Sequence, residues 1–359
     1  MKAIKLSSEI LLRIAVCLAV FVSLAGCGGA SSPGNGGGGG THAPSAATDV
    51  YVIQSPAEYP TDSGSILHFS ASASGSVAPA STITFPTGIY FQGLATDSSG
   101  NIYVGGNQPN DVMSLLEYAA GASGSATPIR TIPSNDTTKM WDPDGLAIGP
   151  DGQVIVGEDN GGVATYSATA NGSTAPDYYI LGAFEIGGGL STLYSAQSVA
   201  MSSGNIYVNN WQDLPILSPP IIFFPATATG NVAPSGSIGG PLTGLSLNGV
   251  GGIATDSSGN IYVASNGPNG GSIVVFAPGT TGNVAPIRTI SGSATQLQYA
   301  GGIQVDSVGN IYVISVSAQE DSLAVLRFSA TASGDTAPTS SFTSGAWTRA
   351  DNYFSLAVH

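Results

Sequence analysis

Cysteine, histidine and charge are all scarce in this chain. The two cysteines among 359 residues, Cys17 and Cys27, both lie close to the N-terminus. Once a leader carrying Cys17 is removed, no internal disulfide is possible, and a core must hold the fold. Some 310 remaining residues are enough to build one. Charged residues make up only 8% of the chain, so solubility rests on Ser, Thr, Asn and Gly. The 8 Lys and Arg stand against 22 Asp and Glu. That balance repels phosphate backbones and anionic lipid head groups, which excludes nucleic acid as a partner. It suits cations, basic partners or neutral ligands. The three histidines, His42, His68 and His359, are too dispersed for a shared base or a His-based metal centre. A Gly-x-Ser-x-Gly elbow, a Gly-Lys phosphate loop and a His-Glu-x-x-His pair are all missing. So are runs with helical periodicity.

What is present begins with a leader. Lys2, Lys5 and Arg13 precede the apolar stretch Ile14 to Leu24, which is too short to span a bilayer as a stable helix. The stretch ends in Leu24-Ala25-Gly26-Cys27, which resembles the lipobox of bacterial lipoproteins. The resemblance implies that residues 1–27 are a lipoprotein signal peptide. Cys27 would be retained and lipidated, placing the chain in the cell envelope, at the outer membrane where one exists. The alternative is an ordinary cleaved signal with an incidental cysteine. Loss of Lys2, Lys5, Arg13 and Glu9 leaves 5 basic and 21 acidic residues, a net charge of −16. Residues 28–47 are rich in Gly, Ser and Pro and cannot bury enough apolar surface to order themselves. They read as a flexible tether with a reach of roughly 25 Å.

Residues 48–359 repeat one phrase. It reads Gly93-Leu-Ala-Thr-Asp-Ser-Ser-Gly-Asn-Ile-Tyr-Val104 and returns at 145–156, 198–208, 252–263 and 302–313. A period near fifty residues signals a repeat architecture. After each phrase come an apolar run (Ile273-Val-Val-Phe276), a Gly-rich turn ending in proline (Pro286) and a short strand (Ile287-Arg-Thr-Ile290). That makes four short strands per repeat, and four-stranded units repeated radially make a β-propeller. In the Asp-Ser-Ser-Gly-Asn hairpin, Asp97 or Asp256 accepts backbone hydrogen bonds and Gly100 or Gly259 supplies positive φ. The expected fold is all-β, a six-bladed propeller with four antiparallel strands per blade. The sixth opening strand is supplied from the far end. Ser355-Leu-Ala-Val-His359 resembles the start of the phrase and Asp49-Val-Tyr-Val-Ile53 its end, so the C-terminal strand should close the first blade.

The phrase resembles the NHL-repeat family of six-bladed propellers over residues 48–359. Members of that family and its neighbours include binding scaffolds, gluconolactonase-like hydrolases and lyases, and the fold does not choose among them.

Strand alternation places the near-constant turns on one face and the variable loops on the other, where function tends to sit. Trp141, Trp211 and Trp347 fall on the variable face. There they either stack on sugar rings or peptides, or pack the long links onto the ring. Asp111, Asp142, Asp144, Glu158, Asp159, Asp213, Glu320 and Asp321 gather on the same face. Asp142, Asp144 and Glu158 are the best local candidates for Ca²⁺ or another divalent cation, although their spacing matches no calcium loop. Solvated carboxylates are the plainer reading. Otherwise no cofactor is expected. Glu158, Asn209 and Asn266 each follow a second strand, as a lactonase-like metal cage would require, and Asn210 and Asp159 lie beside them. The leading expectation is a monomeric, non-catalytic binding propeller for a protein or a neutral or cationic small ligand. A metal-dependent lactonase, hydrolase or lyase is one alternative, and a carbohydrate-binding module is another.

Overall fold

The computed structural model describes residues 46–54, 63–108, 112–159, 161–183, 190, 192–210, 219–246, 250–317, 322–347 and 355–359. Cys27, nearly all of the tether, Trp211, Asp111, Asp213, Glu320 and Asp321 lie outside them. Each repeat folds into one antiparallel four-stranded blade, and six blades form the ring. From the axis outward, blade 2 is Tyr90–Thr96, Ile102–Gln108, Val112–Tyr118 and Arg130–Pro133. Blade 3 is Pro143–Ile148, Val154–Glu158, Val163–Tyr166 and Tyr178–Ile180. Blade 4 is Ala196–Ser202, Asn205–Asn210, Ile221–Pro225 and Gly236–Ile238. Blade 5 is Val250–Thr255, Ile261–Gly267, Gly270–Phe276 and Arg288–Ile290. Blade 6 is Tyr299–Val305, Ile311–Val316, Leu323–Phe328 and Ser340–Thr343. Blade 1 takes Asp49–Gln54, Ser65–Ser70 and Ser81–Thr84, and its innermost strand is the C-terminal Leu356–Val358.

One carboxylate organises each full hairpin phrase. Asp97 Oδ1 accepts the Ser99 and Asn101 amides at 2.8 and 2.9 Å, while Oδ2 accepts Asn101 Nδ2 at 2.8 Å and the Tyr103 hydroxyl at 3.2 Å. Asp256 and Asp306 repeat the pattern with Tyr262 and Tyr312. Gly100 and Gly259 have φ of 81° and 84°, where a side chain would be strained.

The blades stack face to face, so the protein has no single core. Among the described residues, the buried apolar side chains form six clusters, each shared by adjacent blades. Tyr103, Leu115 and Ile132 of blade 2, for example, meet Leu146, Val156 and Tyr166 of blade 3. Two polar devices reinforce these junctions. Arg288 donates to the Tyr262 hydroxyl at 3.0 Å and reaches into blade 6, to the Ala330 and Ala332 carbonyls at 2.5 and 3.1 Å. Arg130 does the same with Tyr103, Ala168 and Ala170, and also pairs with Glu117. The second device is a backbone latch at the rim. The outer strand of one blade pairs in parallel with a single glycine in the last turn of the next: Ile83 with Gly124, Ile180 with Gly230, Ile238 with Gly282, Ile290 with Gly334. Phe342 with Gly75 carries the latch from blade 6 to blade 1. The phrase alone suggested neither device.

The innermost strands start earlier than the phrase does. Blade 2 begins at Tyr90, and its pairing slips between Phe91 and Gly93. The same slip recurs opposite Glu158, between Ala196 and Ser198, between Val250 and Ile253, and between Ala300 and Ile303. These are β-bulges at equivalent places around the axis, where bulges re-aim side chains. The phrase's first glycine answers the crowding there: a Cβ on Gly93 would lie 2.7 Å from the Asp144 carbonyl of the next blade.

Candidate functional site

The loop face is built where second strands end and innermost strands begin. Counting from the last valine of each phrase, the second residue onward is Glu158, Asn210, Ser265 or Ser315 in blades 3 to 6. All four anchor the link that enters their blade. Glu158 Oε2 accepts the amides of Trp141 and Asp142 at 2.9 and 2.6 Å. Asn210 Oδ1 accepts Tyr194 N at 2.8 Å, Ser265 Oγ accepts Ser246 N at 3.0 Å, and Ser315 Oγ accepts Gln298 N at 3.1 Å. Glu158 thus holds a structural position that other blades fill with a neutral residue.

Neighbouring candidates reach the next blade instead. Asn209 Nδ2 donates to the Val250 and Gly251 carbonyls at 2.9 and 2.8 Å. Asn266 donates to Ala300 O at 2.9 Å and accepts Ala300 N at 2.7 Å. Asp159 Oδ1 accepts the Ser195 hydroxyl at 2.6 Å. These three bind blade to blade rather than forming a cage. Trp347 is half-buried, with its ring 5.6 Å from Phe69 and 5.9 Å from Phe342, so it packs a link onto the ring. Trp141 is also half-buried.

Asp144 has no such role. It is the bulge residue of blade 3, as Gln92 and Gln197 are of blades 2 and 4. It is 6% exposed, and its Oδ1 accepts no hydrogen bond among the described residues. The same holds for Asp142 Oδ1. Burial, with Asp142, Asp159 and Glu158 adding negative charge nearby, pushes the Asp144 carboxyl up to about 9. Burial and Asp159 push Asp142 up to about 6. Asp144 therefore carries a proton at neutral pH. The bulge was not visible in the sequence, and the pairing slip that creates it appears only in the strand register. Among the described residues, no three Asp, Glu, His or Cys side chains converge in an arrangement able to hold a metal ion.

No family model and no curated protein matches the chain. Solved structures do. A Bacteroides caccae protein of unknown function is 9% identical with a TM-score of 0.55, over 87% of this chain and 99% of its own. The WD40 domain of Toxoplasma gondii coronin is 11% identical with a TM-score of 0.49, over 82% of this chain and 68% of that one. At 9% identity the Bacteroides caccae likeness speaks to a shared fold alone.

Proposed function

We propose that the chain is a lipid-anchored envelope protein that displays a non-catalytic, NHL-like binding propeller, with the loop face of blade 3 as its recognition surface. The lipobox ending at Cys27 and the Gly-rich tether support the anchoring, and the repeated phrase supports the NHL relation. The observation that carries the binding reading is Asp144. A nine-tenths-buried carboxyl with an unsatisfied oxygen, beside three further carboxylates, lowers the stability of the ring at neutral pH. Residues that cost stability without an architectural role concentrate at binding sites. The ligand would be cationic, or would present an acceptor to the protonated acid. Full-length protein used as bait in envelope extracts, beside an Asp142→Asn/Asp144→Asn variant, tests this. A ligand held by the first and lost from the second supports it. Equal capture by both removes blade 3 from the account.

The metal-dependent hydrolase reading draws on the same carboxylates. Asn209, Asn266 and Glu158 Oε2 already serve backbone groups, which leaves Asp142 and Asp144 to hold a cation. Stoichiometric divalent metal in purified protein, lost in the double variant, would favour that reading. For sugar binding, Trp141 is the remaining described candidate, since Trp347 packs inward. Tryptophan fluorescence that glycans leave unchanged would oppose it.

A further inference from the structure

On the opposite face, blade 3 breaks the pattern that seals the other junctions. At one place in the second strand the blades carry Tyr51, Tyr103, Ile155, Tyr207, Tyr262 and Tyr312. Blade 3 alone lacks the tyrosine. In the other five blades a partner covers the ring. Arg130, Arg288 and Arg327 place their guanidinium carbons 5.9, 5.7 and 5.7 Å from the ring centroids. His68 stacks on Tyr51 at 4.8 Å, and Phe223 meets Tyr207 at 5.1 Å.

In blade 3 the counterparts of Tyr103, Glu117 and Arg130 are Ile155, Thr165 and Tyr178. All three line an open cavity of about 510 Å³ between blades 3 and 4, with Met201 and Ala226 as its far wall. Asp177 stands at its edge. The acceptor side of the missing staple survives. Pro225-Ala-Thr-Ala228 of blade 4 corresponds to Ser167-Ala-Thr-Ala170, whose two alanine carbonyls take Arg130, and to the Ala330 and Ala332 carbonyls that take Arg288. Ala226 brings that acceptor stretch to the cavity, and Tyr178, standing where Arg130 stands in blade 2, offers a ring on which an incoming guanidinium can lie. A carboxylate sits at its mouth, and the net charge of −14 draws cations toward it.

We propose that this junction is a binding site for a guanidinium group, namely an arginine side chain presented by a partner polypeptide that enters beside Tyr178 toward the acceptor stretch the intramolecular arginine reaches elsewhere. The site lies on the constant-turn face and is independent of the loop-face reading. The test is titration of the full-length protein with acetyl-Gly-Arg-Gly-amide, followed by calorimetry or ligand-observed NMR. The expected result is saturable millimolar binding. It should weaken at least about tenfold with the citrulline peptide, which keeps the shape and loses the charge. An Ile155→Tyr/Tyr178→Arg variant, which rebuilds the staple, should lose binding to the same degree while melting at or above the wild-type temperature. Should that variant fail to fold, Tyr178→Arg alone, at a side chain already 36% exposed, carries the same test. Absence of binding to the wild type, equal binding of the citrulline peptide, or undiminished binding by the rebuilt protein would each overturn the assignment.

Discussion

Val50 pairs antiparallel with Val358, so the two ends of the propeller sequence are neighbouring strands of one blade. The Thr48 and Asp49 amides both donate to the His359 carbonyl, at 2.7 and 3.1 Å. The C-terminal strand also buries Leu356 and Ala357, at 2% and 1% exposure, and belongs to the clusters on both sides of blade 1. Deleting residues 355–359 should therefore cost more than one strand's burial, because it opens an edge at the axis. Leu356→Ala alone should cost about 2–5 kcal/mol. The deletion should lower the thermal midpoint further and broaden the transition. A deletion protein melting within a few degrees of wild type would show that the ring does not depend on this closure.

The Arg288–Tyr262 contact makes a separable prediction. Arg288 bonds to both the tyrosine of its own blade and the carbonyls of the next. Arg288→Met keeps the packing of the stem and removes the donors. It should cost about 1.5–3 kcal/mol, as for hydrogen bonds to a charged group. Arg288→Lys should recover little, since one ammonium cannot span the hydroxyl and both carbonyls. Urea midpoints for the three proteins decide it, and a lysine variant as stable as wild type would mean that only charge matters.

Blade number, strand order and the closing strand were legible in the sequence because each is written in period: Asp97, Gly100 and Tyr103 recur as Asp256, Gly259 and Tyr262. The loop face was less legible. Glu158, Asn209 and Asn266 carry chemistry that suits a ligand cage, and only their distances show that they hold links and neighbouring blades. Asp144 could be named as a candidate, but its bulge and its buried, unsatisfied oxygen come from strand register, which residue types do not encode. The blade 3 cavity was equally hidden. It is a deviation from the repeat, visible only when Ile155 and Tyr178 are set beside the Tyr103 and Arg130 that seal the same place next door.

Asn209 tests the structural reading of those loop residues. Its amide satisfies two carbonyls of blade 5, at Val250 and Gly251, and is 3% exposed. Asn209→Ala strands both acceptors and should cost about 2–3 kcal/mol. Ligand capture should be unaffected once the protein is folded. Unfolding curves and the bait experiment on the same preparation separate the two effects. Lost capture with unchanged stability would return Asn209 to the binding surface.

The last prediction concerns pH, and its sign follows from Asp144. In the folded protein its carboxyl holds a proton up to about 9, against 3.8 for an ordinary aspartate. Between those values the folded state binds more protons than the unfolded one, so stability must fall as pH rises across the window. Asp142, raised to about 6, adds the same sign over the lower part of it. Between about pH 5 and about pH 8 the loss from Asp144 should be on the order of 4 kcal/mol. Asp144→Asn has no proton to lose, so its stability should be flatter over that range and exceed wild type at the alkaline end. Urea unfolding of both proteins at the two pH values measures this directly. If the wild-type midpoint instead rises toward pH 8, Asp144 is ionised and satisfied in the folded state, and the stability argument for its role in binding fails with it.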